Sequence, residues 1–236
     1  MKKYFLGIDL GSTTSKAVII NEEDRIIGRG ITNTRANYTV ATEIARLEAI
    51  YNARFTILKM KLDDEIKTKP EYRRYINDVE SLFQYIQFKR RLDRLNIKFR
   101  DIISATFKDE LQETISGHID DIVKSIGPAI LEEYLNHDLG AKNQFFRDMI
   151  SEKYNKAVTS LGKEFFEPMM LVYDKSITAV ENELTEYDFR ELVYQAMELL
   201  NDKYAGIGET CPEESSISFD SELNLLKGNF KQVMIP

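Results

Sequence analysis

Tyr4-Phe5-Leu6-Gly7-Ile8-Asp9-Leu10-Gly11-Ser12-Thr13-Thr14-Ser15-Lys16-Ala17-Val18-Ile19-Ile20 is the stretch on which the reading of this chain turns. A short apolar run ends in an acid. A glycine and three hydroxyl residues make a turn, and a β-branched run follows. Asn21-Glu22-Glu23-Asp24 makes a second polar turn, and Arg25 to Thr32 reads as a third strand with Gly28 and Gly30 inside it. Three strands joined by two short turns predict an antiparallel meander. Glycines within a strand mark a bulge or the close approach of another backbone.

The first turn has the chemistry of a phosphate grip. Gly11 is expected to take a backbone conformation closed to other residues and to keep a side chain out of a phosphate's way. Successive amides in such a turn form a concave anion nest. Ser12, Thr13 and Thr14 add hydroxyl donors, and Asp9 is a hard oxygen ligand suited to Mg²⁺, through bound water. Lys16 either brings charge to the phosphates or points away along the alternating strand. The spacing is not that of a Walker loop, and no Gly-x-Gly-x-x-Gly opens a helix here. The bland alternative is a polar hairpin whose side chains satisfy their own backbone.

From about Tyr38 the periodicity becomes helical. Val40, Ile44, Leu47 and Tyr51 recur at three- and four-residue steps, as do Tyr75, Val79, Leu82, Phe83 and Ile86 after Pro70. Ile115, Ile119, Ile122, Val123 and Ile126 lead towards Pro128. Leu131, Tyr134 and Leu135 precede Gly140, a natural C-cap. Further periodic stretches run from Phe145 to Leu161 and from Phe189 to Tyr204. The second follows Thr185-Glu186-Tyr187-Asp188, an approximate capping box, and Gly206 is its stop. Beyond Gly208 lies an irregular acidic tail, with Phe230 to Ile235 a possible strand. The fold class is α+β: a meander with the phosphate turn at 1–38, a helical insertion or bundle at 39–206, and the tail at 207–236.

Whole-chain properties narrow the classes. At 236 residues the chain is long enough for a proper buried core, and its formal charge of −7 argues against a general binder of nucleic acid or anionic membranes. No apolar run reaches the roughly 20 residues of a membrane span. The start imitates a signal peptide only until Asp9. One cysteine, Cys211, excludes an intramolecular disulfide and suits a reducing, cytoplasmic compartment. His118 with Asp121, and His137, have some metal-ligand character but read as solvated helical positions. The basic run Lys89-Arg90-Arg91-Leu92-Asp93-Arg94 reads as a solvated face or a docking surface, and Phe145, Phe146, Phe165, Phe166 and Tyr173 as core.

Residues 4–18 closely resemble the opening of the benzoyl-CoA reductase ATPase subunits and 2-hydroxyacyl-CoA dehydratase activators. The resemblance continues through Ile27-Gly28-Arg29-Gly30-Ile31-Thr32-Asn33-Thr34-Arg35-Ala36-Asn37-Tyr38 and on to about residue 55, fading beyond. It implies an actin-like, ribonuclease H-like ATPase fold in which ATP hydrolysis drives low-potential electrons from an iron–sulfur cluster to a partner reductase. Asp9 with Gly11, Ser12, Thr13, Thr14 and Lys16 would then hold ATP or ADP with Mg²⁺. The partners would be other reductase or activator subunits, in a homo- or hetero-oligomer, with neither nucleic acid nor membrane involved.

The family's second phosphate motif, Asp-x-Gly-Gly-x-Asp, is not found here. Neither is an adenosine-binding glycine pair or the family's cluster cysteines. The chain therefore reads as an N-terminal portion or a divergent short subunit, not competent in ATP hydrolysis by itself. The rival readings are a non-catalytic helical module that docks a reductase partner and a relative of the sugar and acetate kinases.

Overall fold

The computed structural model describes residues 3–34, 37–68, 70–136 and 145–205. Three strands open the chain: β1 (Tyr4–Leu10), β2 (Thr14–Asn21) and β3 (Ile26–Asn33). They pair antiparallel in the order β1-β2-β3, as the alternating apolar runs predict. The turn between β2 and β3 closes on itself. Asn21 Oδ1 accepts the amides of Glu23 (3.2 Å) and Arg25 (2.9 Å), and Asp24 takes the left-handed conformation at φ 56°, one that short polar residues tolerate. The ladder slips between Ile19 and Ile20, and β3 starts one residue later than the sequence predicts.

Helix α1 (Tyr38–Lys61) lies across the sheet, its first turn capped by the Asn37 side chain, which accepts the Val40 amide at 3.2 Å. Ala45, Ala49 and Ala53 form its sheet-facing stripe and pack with Ala17, Ile19 and Ile27 into a small core. Gly28 and Gly30 make this approach possible. A Cβ at Gly28 would stand 2.7 Å from the Ala53 Cβ, and one at Gly30 would stand 2.6 Å from the Ala49 nitrogen. The glycines of the third strand thus mark close approach of a backbone, and the register shift that leaves Ile27 unpaired beside Gly28 meets their other expected meaning.

The other side of α1 carries Leu47, Tyr51, Phe55 and Leu58 into a second, larger core. Here Tyr51, Phe55, Phe83 and Phe189 cluster, with ring centroids 5.2–6.1 Å apart, spacings at which aromatic rings attract beyond simple burial. After the short α2 (Asp63–Thr68) comes α3 (Pro70–Thr106), 37 residues long and about 55 Å from end to end. Helices α4 (Asp109–Leu135), α6 (Lys163–Glu181) and α7 (Phe189–Ala205) pack on it, and α5 (Phe146–Leu161) packs on α4 and α6. The chain is thus a three-stranded sheet followed by a mostly helical region. Among the described residues, no helix is long and apolar enough to cross a membrane.

Several local expectations are corrected. The two periodic stretches on either side of Pro128 form one helix, α4, which runs through the proline to Leu135. The proline ring removes one intrahelical donor, while Ile126 and Ile130 on either side are fully packed and hold the helix in place. The cap of α7 is Asp188, whose Oδ1 accepts the Glu191 amide at 2.9 Å; Thr185 instead receives the Arg94 guanidinium. Phe166 is exposed, whereas Tyr173 is buried as expected. Gly140, Gly206 and the strand expected at Phe230 to Ile235 lie outside the described residues.

Candidate functional site

The register of the hairpin places the expected phosphate residues. Asp9 stands directly across from Lys16, and Gly7 from Val18. Directly opposed residues in an antiparallel pair share a sheet face. Asp9, Thr14 and Lys16 therefore project from the face turned away from α1, while Ser15, Ala17 and Ile19 are buried on the α1 side. Lys16 thus shares the side of Asp9, with no ion pair between them among the described residues.

At the tip, the Gly11 amide donates to the Thr14 carbonyl at 3.1 Å, leaving Ser12 and Thr13 as a two-residue loop. The expected role of Gly11 is corrected. Its φ is not positive, and what excludes a side chain there is the Thr14 carbonyl oxygen, 2.7 Å from where a Cβ would sit. The Thr13 carbonyl accepts the Thr34 amide at 2.8 Å, and the Ser15 and Thr34 hydroxyls share a hydrogen bond of 2.7 Å. The turn is thereby tied to the end of β3. Ser12 and Thr13 are exposed, and their amides make no turn hydrogen bond among the described residues. Two amides, three hydroxyls and a carboxylate are thus open to a ligand at one end of the sheet.

The strand leading to this turn is unusual. Every residue of β1 is exposed, among them Tyr4 (46%), Phe5 (54%) and Leu10 (50%). Only β2 pairs with it among the described residues. Because Gly11 and Thr14 exchange a hydrogen bond, ladder alternation turns the main-chain groups of Tyr4, Leu6, Ile8 and Leu10 to the open edge. That edge has no proline, lysine or bulge to blunt it, unlike a strand built to end a sheet.

The other predicted features fare differently. The basic run is partly solvated, as expected, with its cations engaged in pairs at the surface and at the helix contacts. Lys89 pairs with Asp93 (2.5 Å), Arg90 with Glu191, Arg91 with Glu48 (3.7 Å), and Arg94 with the Thr185 hydroxyl. The His118 ring meets Phe165 edge-on at 4.9 Å, and Asp121 pairs with Lys124 at 4.0 Å. Cys211 and His137 lie outside the described residues. No cluster of three or more His, Cys, Asp or Glu side chains able to hold a metal occurs among the described ones.

Sequence reasoning missed a second polar cluster. Gln84, Gln87, Arg91 and Arg94 recur at three- and four-residue steps on α3 and line a cavity between β3, α1 and the helical region. Burial pushes the Glu48 carboxyl above the usual carboxylate range, against the pull of Arg91, and pushes the Tyr134 phenol up as well. The signal was the three- and four-residue spacing of these polar residues along α3. Comparison with known protein families, with characterised proteins and with solved structures finds no match to this chain.

Proposed function

We propose that this chain is the N-terminal ATP-binding region of an ATPase subunit of the benzoyl-CoA reductase and 2-hydroxyacyl-CoA dehydratase activator type. The observation that carries the reading is the β1–turn–β2 hairpin. It presents Asp9, Thr14 and Lys16 on one face beside the open amides of Ser12 and Thr13. The residues suit Mg-nucleotide: Asp9 would hold Mg²⁺ through water, and the tip amides and hydroxyls would take the phosphate oxygens.

In the resembling family, ATP hydrolysis drives electrons of low potential to a reductase. This chain's own residues would bind the phosphates and place the metal, and the rest of the nucleotide site would come from elsewhere. The open edge of β1 supports the same reading, because an actin-like lobe continues its sheet beyond the first strand. An iron–sulfur cluster and partner reductase subunits belong to the same proposal, as does a cytoplasmic location.

The test is calorimetric titration of the 236-residue chain with Mg-ATP and Mg-ADP. Weak saturable binding that disappears in Asp9→Ala supports the reading, and binding that survives Asp9→Ala unchanged overturns it. A second reading, a non-catalytic helical module for a reductase partner, draws on the exposed Phe166 and Leu171 of α6 and expects no nucleotide binding at all. The sugar or acetate kinase reading shares the turn, but neither a sugar-binding acid nor a second phosphate strand is identified for it.

A further inference from the structure

The two arms of the phosphate turn are held unequally. Its entry arm is β1, exposed along its whole length, and the Gly11 amide closes the loop on the Thr14 carbonyl. Its exit arm is bound to the end of β3. The register sets Thr14 across from Asn33 and Ser15 across from Thr32, and pairing runs on one step past both strands. There the Thr34 amide donates to the Thr13 carbonyl at 2.8 Å. The Ser15 and Thr34 hydroxyls then lie 2.7 Å apart, a diagonal contact within reach on one sheet face. Thr34 thus holds the turn twice, by its amide at Thr13 and by its hydroxyl at Ser15.

Ser15 stands where alternation calls for an apolar residue. It heads the row Ser15, Ala17, Ile19 on the α1 face, and it is fully buried. A buried hydroxyl costs stability unless it is hydrogen-bonded, and the partner it has is Thr34. An alanine would continue the row without that requirement. What the hydroxyl adds is the tie to the turn. That tie bears on a ligand because the Ser12 and Thr13 amides make no turn hydrogen bond among the described residues, and they take their direction from the backbone on either side. Donors fixed before binding need no ordering when an anion arrives.

We propose that Ser15 and Thr34 are positioning residues for the phosphate turn. They act through Thr13 rather than on the nucleotide, fixing the exit arm so that the Ser12 and Thr13 amides stay aimed at the phosphates. The proposal rests on the Mg-nucleotide reading of the turn and adds to it the part played by the third strand.

The test uses the full chain, with Mg-ADP calorimetry for affinity and hydrogen-exchange NMR for the turn. Ser15→Ala and Thr34→Val each remove the shared hydroxyl bond and leave the backbone intact, and each weakens Mg-ADP about three- to tenfold. Because both remove the same bond, the double variant is no weaker than the worse single one. Thr34→Ser restores the hydroxyl and binds within about twofold of wild type. Without ligand, the residue-34 amide exchanges at least about threefold faster in Ser15→Ala. The Tyr187 amide, which donates to the Tyr51 hydroxyl, keeps its rate and so excludes a general loss of stability. Wild-type affinity in both single variants overturns the proposal, as does an additive double variant. Where the wild-type chain gives no heat with Mg-ADP, exchange decides alone, and an unchanged residue-34 amide overturns it. Binding that survives Asp9→Ala but weakens in Ser15→Ala and Thr34→Val faults the nucleotide reading and upholds the tie to the third strand.

Discussion

Gly30 of β3 lies against Ala49 of α1 so closely that a Cβ built on the glycine would stand 2.6 Å from the Ala49 nitrogen, and closer still to the Ala45 carbonyl oxygen. Backbone therefore packs on backbone where helix meets sheet. That contact fixes the height of α1 over β2 and β3, and with it the positions of Tyr51 and Phe55 on the far side of the helix.

Gly30→Ala should accordingly destabilise the chain by about 1–3 kcal/mol, the usual cost of overpacking a site that cannot yield. Gly7→Ala is the matched control, because a Cβ there meets nothing within 4 Å. It should be neutral or slightly stabilising, by up to about 1 kcal/mol. Urea denaturation of the two variants checks both. Equal losses would show that strand propensity, not helix contact, explains the glycines.

Tyr51 joins two places 136 residues apart. Its hydroxyl donates to the Tyr187 carbonyl at 3.0 Å and accepts the Tyr187 amide at 3.1 Å. Tyr51→Phe leaves both backbone groups buried without partners, so it should cost about 2–4 kcal/mol, more than the hydrogen bonds are worth on average. The midpoint of thermal unfolding reads this directly, and a loss below about 0.5 kcal/mol would mean that water takes the place of the hydroxyl.

Asp9 is exposed on β1 and makes no ion pair among the described residues. Asp9→Ala should therefore leave stability within about 0.5 kcal/mol of wild type while removing the Mg-nucleotide binding proposed above. The pairing of an unchanged unfolding midpoint with lost calorimetric heat separates a ligand role from a structural one.

Alkaline pH should unfold this chain early. Burial pushes the Tyr173 phenol up to about 12 from its ordinary 10.0, and the Tyr154 phenol rises for the same reason. The unfolded chain releases these protons as pH passes 10, whereas the folded chain keeps them until about 12. The stability they contribute is therefore complete below pH 10 and is lost as pH rises from 10 to 12. Denaturation midpoints at pH 9, 10 and 11 should fall progressively, and the fall should be shallower in Tyr173→Phe. A flat profile to pH 11 would contradict the burial of these rings.

Much of the local structure was legible from residue order. The meander, its two turns and the switch to helical periodicity near Tyr38 rest on interactions between neighbours in sequence, and alternation at two or at three to four residues reports them faithfully. The α3 and α5 segments were visible for the same reason, as was the separation of Asp9, Gly11 and Thr14 around a turn. The capping box misled by one turn because Asp188 outcompetes Thr185, which is drawn to Arg94.

By itself, then, the sequence determined a β-meander with a polar Gly-Ser-Thr-Thr turn and a long helical region behind it. Short-range patterning is sufficient for both. Only the tertiary structure decided that Lys16 shares a face with Asp9, that Gly11 is required by the Thr14 carbonyl rather than by a positive φ, and that β1 has only β2 as a strand partner among the described residues. The same holds for the cavity that gathers Glu48, Gln87 and Arg94. The physical reason is distance along the chain. Arg94 meets Thr185 across 91 residues and Tyr51 meets Tyr187 across 136, and which polar groups are left without partners is known only after all such contacts have formed.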